Sequence, residues 1–377
     1  MTPSLQTYMT ATRRALHKIP EGGWEEHKTQ AYLLQSLADC PGWQISQPCG
    51  TAIKAVYAVP GATKTLAFRA DMDALSLPEQ TGLPFASEHP GYMHACGHDG
   101  HMAVALGIAR AVCDGEIKPT CNLVLLFQPA EESIGGADQM IAAGVLENPH
   151  VDEIYGLHLH PCVSLGQVGL REGPLMAATR EFVAEITGAA SHGALPHLGR
   201  DALLAAATFA LEAQSIPARD IDPMQPALVT IGQLNAGHRR NIVADAAHIE
   251  GITRSFDAQV DAAIFARLEQ ILDAACKMHR VDYTLETPTY YPPLVNAPAP
   301  TARLRAAAGD RAVAVKPQLT AEDFSFFANA RPAAYCFVGV GAPGGHALHH
   351  GKFDFDESAL GIALGVFANL ITSYEEA

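Results

Sequence analysis

NLVLLFQPAEE, residues 122–132, opens on seven uncharged residues and closes on two adjacent carboxylates. A continuous apolar run this short suits a strand buried on both faces, as in a parallel sheet. Upstream, DGHMAVALGIARAVC (residues 99–113) is Ala-rich, apolar and free of proline, which predicts a buried helix. Downstream, the pattern predicts a helix over 135–144 ended by Gly144, then a strand over EIYGLHL, residues 153–159. Nearer the start, strands are expected at 52–59 and 65–70, after a helical stretch over 12–39 broken at Pro20-Glu21-Gly22-Gly23. The resulting βαβαβ order implies an α/β fold, a mainly parallel sheet flanked by helices. Ligands of such sheets bind beyond the carboxyl ends of the strands.

After about residue 176 the pattern changes. Strands at 181–187, 227–234, 247–254 and 281–286 alternate with helices at 201–216 and 257–279. This βαββαβ order is the ferredoxin-like α+β unit. It begins and ends on strands that lie close together, so it can be inserted into a host domain. The Pro-rich stretch 288–300 marks the return to the host. The expected division is residues 1–177 and 288–377 for the host and 178–287 for the insert.

Composition narrows the function classes. The chain has 377 residues, which suits two cores rather than one. Its formal charge of −15 and lack of a basic run disfavour nucleic acid or an anionic membrane surface as partner. No leader-like apolar segment or membrane-length apolar run is read, so the expectation is a cytoplasmic protein with small-molecule chemistry. Eight cysteines without a C-x-x-C pair read as reduced thiols.

The polar clusters fall just after the expected strands. In His94-Ala95-Cys96-Gly97-His98-Asp99-Gly100-His101, a thiolate and an imidazole two residues apart sit at a helix start, a donor set suited to zinc-like ions. The same turn could be only a helix start with exposed histidines. Glu131 and Glu132 follow the central strand. Adjacent carboxylates repel unless a cation neutralises them, and then one can ligate while the other serves as base. Without a cation they would be an ordinary acidic helix start. His158 and His160 share one face of a strand end. Further histidines occur at His192 and His197 in the insert and at His349 and His350 near the end. No G-x-S-x-G, P-loop or G-x-G-x-x-G motif is present, which removes support for serine-hydrolase, nucleotide and dinucleotide chemistry.

Taken together the clusters resemble a known family, the amidohydrolase branch of the aminoacylase and carboxypeptidase metallopeptidase superfamily, which includes the hippurate hydrolases. The anchors run in family order along the chain: LHKIPE from Leu16, RADMDAL from Arg69, MHACGHDGH from Met93, FQPAEE from Phe127, GLHLHP from Gly156, HGALPHLGRD from His192, EGITRSFD from Glu250, AEDFSFF from Ala321 and LHHGKFDFDE from Leu348. Within the branch, LHKIPE followed by EEHKTQAYLL is most similar to the N-acetyldiaminopimelate deacetylases.

The resemblance implies a di-metal catalytic domain carrying an inserted lid. It implies two divalent ions (zinc, manganese, cobalt or nickel) held by Cys96, His98, Glu132, His158 and His349, with His350 an alternative for the last ligand. Glu131 would be the catalytic base and His192 the oxyanion donor, in its own subunit or across a homodimer formed through the lid. Asn241 and Arg254 would hold the substrate's free carboxylate, and Asp71 and Asp73 would support the ligands from behind. The substrate would be an N-acyl amino acid, N-acetyl-L,L-diaminopimelate first and hippurate or another acyl amino acid as the alternative. Two other classes stand beside this one: a cysteine hydrolase built on Cys96 and His98, and a non-catalytic metal- or amino-acid-binding protein on the same scaffold.

Overall fold

A computed structural model describes residues 2–342 and 344–374. In chain order its elements are α1 (Pro3–His17), α2 (His27–Ala38), β1 (Trp43–Ser46), β2 (Ile53–Tyr57), β3 (Thr65–Asp71), α3 (His98–Cys113), β4 (Asn122–Gln128), α4 (Ala137–Ala142), β5 (Glu153–Ser164), β6 (Val168–Leu170), β7 (Gly173–Met176), β8 (Ala178–Thr187), α5 (Ala202–Ala213), α6 (Ile216–Arg219), β9 (Ala227–Ala236), β10 (Ala246–Ser255), α7 (Ala258–His279), β11 (Asp282–Glu286), β12 (Tyr290–Tyr291), β13 (Leu294–Asn296), α8 (Pro298–Ala308), β14 (Ala312–Ala314), α9 (Phe324–Ala330), β15 (Ala333–Gly341) and α10 (Ser358–Ser373). The chain divides into two compact units. The first comprises Met1–Gly173, Val295–Lys316 and Asp323–Ala377; the second comprises Pro174–Leu294 and Pro317–Glu322.

The first unit is built on an eight-stranded sheet of order β1-β2-β4-β3-β5-β15-β6-β14. Its centre, β4-β3-β5-β15, is parallel, while the β1-β2-β4 edge and the β15–β6 pair are antiparallel. Every residue of β3 is buried and β4 is buried after Asn122, as strands covered on both faces must be. Fourteen of the sixteen residues of α3 are buried, so this helix is buried all round rather than amphipathic. It packs between α1, α10 and the sheet. A Cβ at Gly100 would stand 2.4 Å from Leu159 Cδ1, so the first turn of α3 packs against β5 at Leu159 only because it has no side chain there.

Strand β1 was not expected, and two expected elements run further than their pattern. Helix α1 begins at Pro3, with Thr2 capping Leu5 N–H and proline in its first turn, both start signals in the sequence. Strand β5 continues to Ser164 because β15 pairs with it beyond Leu159, across an irregularity at Gly339 and Gly341.

The second unit has an antiparallel sheet of order β11-β8-β10-β9. Read by position, the βαββαβ strands lie 4-1-3-2, the ferredoxin-like arrangement. Its own core includes Phe182, Ile186, Phe209, Ile249, Leu268 and Leu272. Asp201 and Asp257 cap α5 and α7 by accepting backbone N–H bonds.

Candidate metal centre

The parallel register sets the site. Asp71 at the end of β3 pairs in register with Gln128 at the end of β4, and His158 on β5 pairs with Phe337 on β15. The residues just beyond β3 and β4 therefore emerge at one edge of the sheet, the ligand edge of α/β folds. Helix α3 starts there after Gly97, whose φ of 90° lies in the left-handed region that glycine adopts without penalty.

Two groups of side chains meet at that edge. Potential ligand atoms of Cys96, His98 and His158 lie within 4.8 Å of one another, and so do those of Cys96, Glu132 and His349. Cys96 is common to both, the arrangement expected of a thiolate between two ions. Its Sγ is 3.3 Å from His158 Nε2, and His349 Nε2 is 3.0 Å from Glu132 Oε1. The first triad is buried; in the second, Glu132 is partly buried and His349 exposed.

Hydrogen bonds behind these atoms fix how they present. His98 Nδ1 donates to the carbonyl of Asp73 at 2.9 Å, which leaves Nε2 facing the cluster; Nε2 is buried and makes no hydrogen bond among the described residues. A metal-ligating imidazole is oriented in this way. Burial opposes a charge on His98, but Asp71 foremost, then Asp73 and Glu132, outweigh it and raise its pKa to about 10. Burial, with Glu132 and Glu131 adding to it, pushes the Cys96 thiol well up. Asp71 and Glu132 act on both groups. A soft thiolate, imidazoles and carboxylates are a donor set that fits zinc-like divalent ions.

Asp73 does not reach into the cluster as a free carboxylate. Its Oδ1 accepts Glu131 N–H at 3.0 Å and its Oδ2 accepts Glu132 N–H at 2.9 Å. Between these and Gln128, Ala130 sits at φ 61° and donates its N–H to Glu26 Oε1 at 2.9 Å. The turn that points both glutamates inward is thus held from two sides, and Glu131 is buried with potential ligand atoms of His98, Glu131 and Glu132 grouped within 4.8 Å.

Several residues in the quoted motifs had no role assigned from sequence. His101 donates from Nδ1 to Asp71 at 2.6 Å and accepts Leu159 N–H at Nε2 at 2.9 Å, so both ring nitrogens are committed and it is a brace rather than a ligand. Arg69 donates to Asp71 (2.6 Å), Gln128 (2.7 Å) and Asp323 (2.8 Å). Asp323 also accepts from Gly136 and Ala137 N–H at 3.0 and 3.1 Å, tying down the far end of the glutamate turn. Of the paired histidines near the end, His349 is the one grouped with Cys96 and Glu132. His350 stacks on His346, centroids 4.5 Å apart, and accepts Lys352 N–H.

His192, Asn241 and Arg254 belong to the second unit. Ala194 N–H donates to His192 Nδ1 at 3.1 Å, so a proton on this imidazole resides at Nε2. Gly193 N–H donates to the Asn241 carbonyl at 2.8 Å, and a Cβ at Gly193 would come within 3.1 Å of that residue's backbone. This close approach places His192 and Asn241 side by side. Arg254, on β10, has a buried Nη1 without a hydrogen bond among the described residues, and burial lowers its pKa against the opposing effect of Glu181.

Residues 67–373 match the family described as peptidase family M20/M25/M40. The chain belongs to this family. With that membership goes metal-dependent amide hydrolysis. An N-acetyldiaminopimelate deacetylase of Bacillus velezensis is 37% identical over 97% of this chain and 98% of its own length. A solved chain from methicillin-resistant Staphylococcus aureus superposes with a TM-score of 0.93 at 32% identity, covering 98% of this chain and 97% of that one. A Bacillus subtilis structure, described as a dinuclear metal-binding peptidase from the M20 family, gives 0.85 at 29% identity, with 98% of both chains covered.

Proposed function

We propose that the chain removes the acetyl group from N-acetyl-L,L-diaminopimelate, releasing acetate and L,L-diaminopimelate, with two divalent ions held by Cys96, His98, Glu132, His158 and His349. The observation that carries the chemistry is the pair of ligand triads sharing Cys96. The choice of substrate rests on the names of full-length relatives from Bacillus and Listeria.

When bound, the two ions would polarise the acyl oxygen and lower the pKa of the attacking water. Glu131 takes the proton of that water on its carboxylate and returns it to the leaving nitrogen. Its backbone amide on Asp73 fixes the main chain from which this carboxylate projects. His192 donates from Nε2 to the oxyanion as charge develops, and such donors act most strongly when preorganised. The Ala194 amide provides that preorganisation by holding Nδ1. Arg254 pairs with the free α-carboxylate, where a planar guanidinium suits two-point recognition, and Asn241 contributes beside it. Asp71 and Asp73 act behind the ligands. Zinc, manganese, cobalt and nickel all suit this donor set.

The same reading makes the protein cytoplasmic and a homodimer through the inserted domain. The eight cysteines are free, and among the described residues no helix is long and apolar enough to cross a membrane. Strand β9 is an edge of its sheet and exposes Leu228 and Leu234. The test of the chemistry is Glu131→Gln: the variant is expected to retain two ions per chain and lose turnover by at least 10²-fold. Near-wild-type hydrolysis by that variant would remove Glu131 from the role of base.

A further inference from the structure

Helix α1 buries Leu5, Met9, Thr12, Arg13, Leu16 and His17, the 3.6-residue stripe that faces α3. A fully buried arginine on that stripe is costly unless every charge it meets is matched. Arg13 is 1% exposed. Its Nε donates to Asp99 Oδ2 at 2.9 Å, its Nη2 to Asp354 Oδ1 at 2.7 Å and its Nη1 to Glu357 Oε1 at 3.2 Å. The guanidinium plane lies between Phe355 and Phe85, 4.2 and 5.0 Å from the ring centroids.

These three carboxylates are not scattered. Asp99 directly follows His98 in the first turn of α3. Asp354 and Glu357 follow His349 by five and eight residues. The two segments touch once more near the cluster, where His349 N–H donates to the Ala95 carbonyl at 2.9 Å. His349 has φ 61° and a side chain 52% exposed, so its placement depends on where its segment is tied down rather than on its own burial. Arg13 binds the segment after His98 and the segment after His349 through a single rigid group.

We propose that Arg13 is a positioning residue that sets the placement of His349 against Cys96 and Glu132, and so controls the affinity of the more exposed of the two ion sites. The inference rests on the two-ion reading above. The Cys96–His98–His158 group is buried and does not include the 349 segment, and Asp99 beside His98 keeps its bond to His17 when Arg13 is replaced, so the clamp acts chiefly on the other group. His17 also donates to Asp99 Oδ2, at 2.8 Å, which leaves that carboxylate one partner when Arg13 is replaced.

The test is a manganese(II) titration of the metal-stripped full chain, read by calorimetry and by the free-ion EPR signal. Wild type is expected to take up two ions in a tight and a weaker step. Arg13→Met should weaken the weaker step at least tenfold and leave the tight step within twofold, with Arg13→Lys between the two. Asp354→Asn should reproduce the effect from the other side of the contact and decides the matter if Arg13→Met does not fold. Arg14→Ala, which removes the exposed contacts to Glu357 and the contact with the Phe85 ring but leaves Arg13 in place, should leave both steps unchanged. Equal weakening of both steps in folded variants, or no change in either, overturns the clamp. A wild-type chain with one step overturns the two-ion reading and the clamp with it.

Discussion

The two carboxylate oxygens of Asp73 accept the successive backbone N–H groups of Glu131 and Glu132, at 3.0 and 2.9 Å. One side chain on the loop after β3 thereby sets the direction of both acidic residues after β4. The consequence is chemical: the proposed base and a proposed ligand are fixed relative to each other before any substrate arrives.

Asp73→Ala frees both amides. Groups that orient ligands from behind are typically worth 10–100-fold in affinity or activity, so kcat/KM should fall by roughly that factor while the far-ultraviolet circular dichroism stays unchanged. Asp73→Asn keeps one acceptor and should fall between. Activity within twofold of wild type in Asp73→Ala would mean that the turn is held by Glu26 and Asp323 alone.

Arg254 has a buried Nη1 without a hydrogen bond, and such a group is expensive to leave unpaired. If it receives the substrate's carboxylate, Arg254→Ala should raise KM for an N-acetyl amino acid by roughly 10²-fold, about 2.7 kcal/mol. KM for the corresponding carboxamide should barely change. Equal losses on acid and amide would instead indicate a structural effect on β10.

His17 gives a pH prediction. It is fully buried; burial works against its charge, but the hydrogen bonds to Asp99 and Glu79 prevail and raise its pKa from 6.5 to about 9. A group whose folded pKa lies above its unfolded value stabilises the fold fully below the unfolded pKa and loses that contribution as pH rises through the folded one. Urea unfolding of wild type and His17→Gln should therefore differ most below pH 6.5 and converge as pH passes 9. A gap that widens with pH would contradict the protonated pairing.

How much of this was legible follows from what each residue depends on. The strands over 122–128 and 65–70 and helix α3 were readable because burial on all sides leaves a plain apolar signature. The ferredoxin-like order was readable because the second unit alternates at short range. Cys96, His98, Glu131 and Glu132 stood out because donors crowd at strand and helix ends. His101 lies in the same quoted motif, yet its role depends on Asp71 and on Leu159 N–H, from two different strands. Arg69 and Asp323 meet across 254 positions, and Arg13 and Asp354 across 341; no local pattern reports such pairs. Strand β1 was missed because four residues at an edge, only one of them buried, carry almost no periodicity. The first two turns of α1 were missed although Thr2 and Pro3 announce them.

The central claim is metal-dependent removal of an acetyl group from a diaminopimelate. The direct measurement is acetate release from N-acetyl-L,L-diaminopimelate beside benzoate release from hippurate, using the full chain with added manganese or zinc and with excess chelator. The account predicts rapid acetate release that chelator abolishes and metal restores, with hippurate turned over far more slowly. Release that persists in chelator would contradict the metal centre, and a preference for hippurate would contradict the substrate.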